Sequence, residues 1–321
     1  MPFTSILTCA AVMEDVLRSA RVLARTDATL LLTGESGTGK EVFAKAIYQD
    51  SLRKAAPFIT VNCAALPETL AESLLFGHRK GAFTGADSQH TGLIAAAEGG
   101  TVFFDEIGEL PMPLQAKLLR FMDSGEILPL GETRPKKINV RVLAATHRNL
   151  REQAKAGAFR HDLYYRLGTI PLELPSLRER REDIALLSKH FLAYFAEHHG
   201  LAPARLSPEA LEVMGRYPWP GNIRELKNNC ERLSILLQGR TILPANLPAE
   251  IQSPRYSAAA SSADTYGKFH LPDEGISLDV LEQELLQQAL EKSRQNKTQA
   301  AGLLGITRDA LNYRLKKYAL R

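Results

Sequence analysis

An apolar run, Ala28-Thr29-Leu30-Leu31-Leu32-Thr33, leads into Gly34-Glu35-Ser36-Gly37-Thr38-Gly39-Lys40. Val42, Phe43, Ala46 and Ile47 then recur at the spacing of one helical face. Strand, glycine loop and helix in this order demand a strand whose carboxyl end opens onto a helix N-terminus. The loop has the pattern G-x-x-x-x-G-K. Its glycines let backbone N–H groups converge on phosphate oxygens, and the following helix presents its positive end. Lys40 is spaced to reach the β and γ phosphates. The next residue, Glu41, has no hydroxyl with which to contact Mg²⁺, so the match to the general pattern stops there.

Three further apolar segments read as strands: Phe58-Ile59-Thr60-Val61, Thr101-Val102-Phe103-Phe104 and Val140 to Ala145. Helical stretches separate them, which predicts an α/β fold: a parallel sheet with helices on both faces. Ligands of such sheets bind at the carboxyl ends of the strands. Asp105-Glu106 follows the second of these segments. Beside a phosphate loop, one carboxylate holds Mg²⁺, commonly through water, and the next polarises the attacking water. Asp105 is assigned to the metal and Glu106 to the general base. As solvated turn residues they would only cap the segment Ile107 to Leu110, a weaker reading beside such a loop.

From about Leu174 the pattern becomes helical. Arg181 to Phe195 has helical periodicity, Ser207-Pro208-Glu209 is a helix start, and a further helix begins at Asn222, whose side chain is expected to cap it. Ser257, Ala258, Ala259, Ala260, Ser261 and Ser262 mark a linker. Order resumes near Leu278 as three short helices. The 321 residues are 45% hydrophobic and 24% charged, an ordinary soluble composition. Cys9, Cys63 and Cys230 are too scattered for a disulfide framework or zinc spacing. With no long apolar run and no signal pattern, a cytoplasmic protein without membrane contact is expected. Net charge is +4, but Glu291 to Arg321 holds eight lysines and arginines against two acids. A basic terminal block suits nucleic acid.

Between the phosphate loop and Asp105 lies Gly81-Ala82-Phe83-Thr84-Gly85-Ala86, preceded by Arg79 and Lys80. Two glycines in six residues exclude a stable helix or central strand. An aromatic ring at such a loop tip serves contact better than folding. The hexapeptide, the octapeptide Gly34 to Glu41 and Trp219-Pro220-Gly221-Asn222-Ile223-Arg224-Glu225-Leu226 together resemble the bacterial enhancer-binding activators. These are AAA+ ATPases that remodel RNA polymerase carrying sigma-54. The resemblance covers nearly the whole chain.

The resemblance implies roles for further residues. Gly81 to Ala86 would touch sigma-54, with Phe83 and Thr84 as contact and positioning residues, supported by a second surface loop from Ile127 to Pro135. Asn62 would hydrogen-bond Glu106 and relay the nucleotide state, and Thr146 would sense the γ-phosphate. Family members commonly carry Asn after that threonine, where this chain has His147. Arg160 and Arg166, in Phe159 to Leu167, would reach a neighbour's nucleotide in trans, which requires a homo-oligomer, from dimer to hexamer. Arg224 would reach the nucleotide from the lid.

At the C-terminus, Leu278, Leu281, Leu285, Leu286 and Leu290 lie at helical spacing and suggest a dimer surface. Lys297 to Leu304, a turn at Gly305-Ile306-Thr307, and Arg308 to Tyr318 fit a helix-turn-helix. Thr307, Arg308, Asn312, Tyr313, Arg314, Lys316 and Lys317 are its candidate DNA contacts, the last two to phosphate. This part resembles the Fis-type domain that ends enhancer-binding activators. The expected divisions are an α/β ATPase subdomain at 1–172, a helical lid at 173–250, a linker at 251–275 and an all-α helix-turn-helix at 276–321. About 25 residues precede the first strand, so no regulatory domain is expected ahead of the ATPase. Either a separate regulatory protein governs the chain or the sequence is a piece of a longer one. Two other readings stay open: a DNA-binding regulator in which ATP controls assembly alone, and an AAA+ enzyme acting directly on DNA.

Overall fold

The computed structural model describes residues 3–252, 278–293 and 296–318. The chain divides into two compact units, Met1–Ser257 and Ala258–Arg321. The expected linker at 251–275 lies outside the described residues except for Ile251 and Gln252, which end a short helix, Ala249–Gln252.

The first unit is built on a parallel sheet of five strands: β1 Leu30–Thr33, β2 Phe58–Asn62, β3 Thr101–Asp105, β4 Arg141–Thr146 and β5 Pro171–Glu173. Their spatial order is β2-β3-β4-β1-β5, every neighbouring pair parallel. β4 thus lies between the phosphate-loop strand and the acidic strand. β5 went unread in the sequence because Pro171 opens it and only Leu172 is buried. A proline-led strand of this kind belongs at an edge, where it is found.

Successive strand residues point to opposite faces, so each strand feeds two cores. Leu31, Val102, Phe104, Val142 and Ala144 pack beneath the helices Met112–Ser124 and His161–Leu167. Leu30, Leu32, Phe103, Leu143 and Ala145 pack beneath Ala11–Ala24 and the phosphate-loop helix Lys40–Gln49. Burial on both faces explains why these strands read as unbroken apolar runs.

Three helices, Glu182–His199, Pro208–Arg216 and Asn222–Leu236, form a lid with its own core around Trp219, Leu226 and Cys230. Ser207 caps the second as expected, accepting from the Ala210 N–H at 3.2 Å. In the second unit, Leu278–Lys292, Lys297–Leu303 and Arg308–Lys317 pack around Leu286, Leu290, Ala300, Ala301, Leu311 and Leu315. Leu286 and Leu290, expected on a dimer surface, are therefore used inside the module. Leu285 is exposed, and the Leu278 and Leu281 side chains lie outside the described residues.

Arg141 is a buried cation that ties the sheet to the first helix. Its Nη1 and Nη2 donate to the Ala24 and Leu23 carbonyls at 2.8 Å each. These are carbonyls of the helix C-terminus, where an intrahelical donor is lacking. Burial pulls the guanidinium down to about 10, so it stays charged at neutral pH. Arg141→Met should leave both carbonyls without that donor and destabilise the unit by about 1–3 kcal/mol, read as a lower urea midpoint at unchanged slope.

Candidate functional site

The phosphate loop leaves β1 at Gly34, and the lid closes against it. Lys40 is buried, and its Nζ donates to the Gly34 and Glu35 carbonyls at 2.9 and 3.1 Å. Burial pulls its ammonium down, opposed by the nearby Glu106 and Asp105 charges. The Thr38 hydroxyl donates to the Glu35 carbonyl at 2.8 Å. Glu41 lines the adjoining cavity but pairs with Lys45 at 2.6 Å, one turn along its own helix.

That cavity, about 360 Å³, is lined by Ser36, Lys40, Asp105, Glu106 and Arg224 among others. A second, of about 410 Å³, adjoins it through Gly39, Val42, Ile223 and Lys227 and is walled by Ile6, Phe43, Leu187 and Phe191. A polar cradle beside an apolar slot fits a ligand with a charged end and a flat apolar end. The slot was not legible in the sequence, because its walls come from the N-terminal segment, the loop helix and the lid.

Parallel register brings four strand ends to the cradle: Thr33 pairs with Thr146, and Asn62 with Asp105. Burial pushes the Asp105 carboxyl up, and the neighbouring Glu106 charge adds to this. A cation would reverse that penalty. Asp105 beside the phosphate cradle fits Mg²⁺, which keeps several waters and takes few protein ligands. Glu106 has left-handed backbone angles, φ 52° and ψ 48°, which aim its side chain sharply off the strand. Its Oε2 lies 2.6 Å from His147 Nδ1. Asn62 accepts instead from the Ala64 N–H at 3.0 Å. Thr146, fully buried, accepts from the Arg148 N–H at 3.0 Å.

The lid touches the loop through backbone and side chain alike. The Ile223 and Arg224 N–H groups, at the start of the third lid helix, donate to the Gly37 carbonyl at 3.0 and 3.3 Å. A Cβ on Gly37 would sit 2.3 Å from the Gly221 carbonyl oxygen, so only glycine permits this approach. Arg224 Nη1 donates to Ser36 Oγ at 2.8 Å. Asn222 does not cap its helix as the sequence suggested. Its φ of 52° turns the amide toward the loop, where Nδ2 donates to the Ser36 carbonyl at 3.0 Å and Glu35 Oε2 at 3.1 Å. Its Oδ1 accepts from the Leu177 N–H at 2.7 Å. Arg178 holds Glu35 with two bonds of 2.8 and 2.5 Å, and together with Asn222 keeps that carboxyl below its ordinary range.

Arg160 and Arg166 do not line the cradle of their own chain. Arg160 is exposed to Asp162, with Nη2 to Oδ2 at 2.7 Å, and Arg166 pairs with Asp123 at 3.2 Å and donates to the Met122 carbonyl at 2.8 Å.

Residues 81–86 form a compact turn, with Gly81 N–H donating to the Ala86 carbonyl at 2.9 Å and Ala86 N–H to the Phe83 carbonyl at 3.1 Å. Thr84 is exposed and Ala86 buried. Phe83 is 37% exposed, its ring edge-on to His78 at 5.0 Å. It is therefore neither free at a tip nor sunk in the core. The loop 127–135 braces the turn, since Arg79 N–H donates to the Leu130 carbonyl at 3.0 Å.

Residues 6–173 match the sigma-54 interaction domain family, 178–264 the AAA+ ATPase lid domain, and 277–318 the Fis family of bacterial regulatory proteins. The regulatory protein AtoC of Escherichia coli is 44% identical over 98% of this chain and 68% of its own length. The transcriptional regulatory protein ZraR of Salmonella typhimurium is 45% identical over 95% of this chain and 67% of its own. A crystal structure of NtrX from Brucella abortus in complex with ATP superposes with a TM-score of 0.73 at 31% identity, covering 98% of this chain and 69% of that one. The chain belongs to the sigma-54-dependent activator family. It is an AAA+ ATPase of that family with a Fis-type DNA-binding module. Among the described residues no helix is long and apolar enough to cross a membrane.

In this activator's DNA-binding module, Thr307 caps the last helix, accepting from the Ala310 N–H at 3.2 Å. Arg308, Asn312 and Lys316 fall on one face at four-residue spacing, with Tyr313 exposed beside them. Arg314 and Lys317 turn the other way, toward the module's first helix. Arg314 pairs with Glu282 at 2.6 Å and Lys317 with Asp279 at 2.8 Å. All seven candidate DNA contacts fall in one short stretch of sequence, whereas Glu282 and Asp279, which face Arg314 and Lys317, lie 32 and 38 positions away.

Asn222→Ala should remove the lid's buried amide latch and strain a left-handed position that Asn tolerates. The first unit should lose about 2–4 kcal/mol, measured by denaturant unfolding, while Glu225→Ala at the same helix start should leave the loop latch in place.

Proposed function

We propose that this activator binds upstream DNA through its C-terminal module, hydrolyses ATP, and uses the loop 81–86 to remodel the closed complex of sigma-54 RNA polymerase. The observation that carries this reading is the intact Gly-Ala-Phe-Thr-Gly-Ala turn, braced at its base with Thr84 exposed, in the segment that joins β2 to β3 of the sheet carrying the phosphate cradle. Residues 1–172 and 173–250 act as base and lid of the motor.

ATP lies with its phosphates over Gly34 to Lys40 and its base in the apolar slot. Lys40 leaves the loop carbonyls for the β and γ phosphates. Asp105 would hold Mg²⁺, which would supply charge neutralisation at those oxygens. Glu106 accepts a proton from water as the water oxygen bonds to the γ phosphorus and the bond to ADP breaks. Thr146 reports the γ-phosphate, Asn62 relays the nucleotide state through Glu106, and Arg224 carries the signal into the lid. Arg160 and Arg166 leave their own-chain acids to enter a neighbour's site in a ring of up to six subunits. The free energy released moves loop 81–86 against sigma-54. A cytoplasmic location follows from these partners.

The test is ATP-dependent open-complex formation by sigma-54 polymerase on promoter DNA, with wild type and Thr84→Ala compared. Wild type should open the promoter, and Thr84→Ala should hydrolyse ATP within about twofold of wild type yet fail to open it. Wild-type hydrolysis with no opening under any condition would overturn the remodelling reading in favour of ATP-controlled assembly.

A further inference from the structure

We propose that His147 is a positioning residue for Glu106, anchoring one carboxylate oxygen so that the other meets the attacking water. The inference rests on the reading of Glu106 as general base. His147 Nδ1 lies 2.6 Å from Glu106 Oε2, and the His147 backbone N–H reaches the same oxygen at 3.4 Å. Side chain and backbone of one residue thus converge on a single oxygen. A carboxylate only accepts, so Nδ1 carries the proton of this bond.

The surroundings leave this role to His147. Asn62, to which the family resemblance assigns the contact, accepts from the Ala64 N–H at 3.0 Å, and its amide makes no hydrogen bond to Glu106. Thr146 accepts from the Arg148 N–H at 3.0 Å, and its hydroxyl makes no hydrogen bond to Glu106. Arg148 itself pairs with Glu109 at 2.5 Å. Among the described residues, the hydrogen bonds to the Glu106 side chain come from His147.

The backbone makes an anchor necessary. Glu106 sits at φ 52° and ψ 48°, and its own N–H donates to Asp105 Oδ1 at 3.1 Å. The turn fixes Cα and Cβ but leaves a long side chain with free torsions, 21% exposed at the cavity mouth. A base must lie within hydrogen-bond reach of the proton it takes, and misplacement by about 1 Å costs on the order of 100-fold. Anchoring Oε2 directs Oε1 into the cavity. The water proton then passes to Oε1 as the water oxygen bonds to the γ phosphorus and ADP leaves with the bonding pair.

The experiment measures steady-state ATP hydrolysis and nucleotide affinity for the full chain carrying His147→Ala, His147→Asn, Glu106→Gln and the double variant His147→Ala/Glu106→Gln. His147→Ala should lower kcat about 10- to 100-fold with KM and nucleotide affinity within about twofold. His147→Asn keeps a side-chain donor and should recover most of the loss. Because His147 acts through Glu106, its removal should cost nothing further in the Glu106→Gln background. If Glu106→Gln cuts turnover to a small measurable residual rate while His147→Ala leaves kcat unchanged, or costs the same factor in both backgrounds, the positioning role is wrong and the base assignment stands. If Glu106→Gln turns over normally, the base assignment falls and takes this inference with it.

Discussion

The joint between the Gly37 carbonyl and the start of the third lid helix is the contact on which the nucleotide site depends. A helix N-terminus and a phosphate loop both offer unpaired backbone N–H groups, and two such ends would repel unless a carbonyl came between them. The Gly37 carbonyl fills that place, accepting from Ile223 and Arg224. The absence of a side chain at Gly37 permits the approach, and Asn222 and Arg178 secure it through Glu35. Cradle, apolar slot and Arg224 are all positioned by this joint. A change in the phosphates beneath the loop is therefore a change in the seat of the lid.

Around that joint the sheet supplies chemistry in strand order. β1 delivers the loop, β4 delivers Thr146 and His147, and β3 delivers Asp105 and Glu106. One chain thus brings together a phosphate cradle and the two carboxylates proposed to hold the metal and to act as base. Lys40 and Arg224 supply positive charge within the cradle. The arginines that the family resemblance assigns to charge stabilisation are tied to Asp162 and Asp123 of their own chain instead. The proposed function needs them in a neighbour, and that need links catalysis to assembly.

Much of this was legible in the sequence because it rests on local patterns. Apolar runs gave four of the five strands, and their turn residues gave the phosphate loop and the acidic pair. What escaped depends on contacts between distant segments. The fifth strand is three residues led by proline, and carries too little periodicity to be read. The Asn222 latch escaped because capping is the ordinary use of Asn at a helix start, and only the left-handed backbone turns it toward the loop. The pairing of Arg314 and Lys317 with Glu282 and Asp279 needed the three-helix packing. His147 stood out as a departure from the common residue, but its partner Glu106 is 41 positions away in sequence and comes beside it only at the ends of two neighbouring strands in the folded sheet.

In the proposed function, the ATPase site of each chain is completed by its neighbour. Mixing Arg166→Ala with Lys40→Ala tests it directly. Each variant alone lacks one half of every shared site, whereas mixed rings place an intact cradle against an intact arginine at some interfaces. Turnover that appears on mixing and peaks near equal proportions is the expected result. Mixed assemblies demonstrated by sedimentation, with turnover no higher than either variant alone, would contradict it.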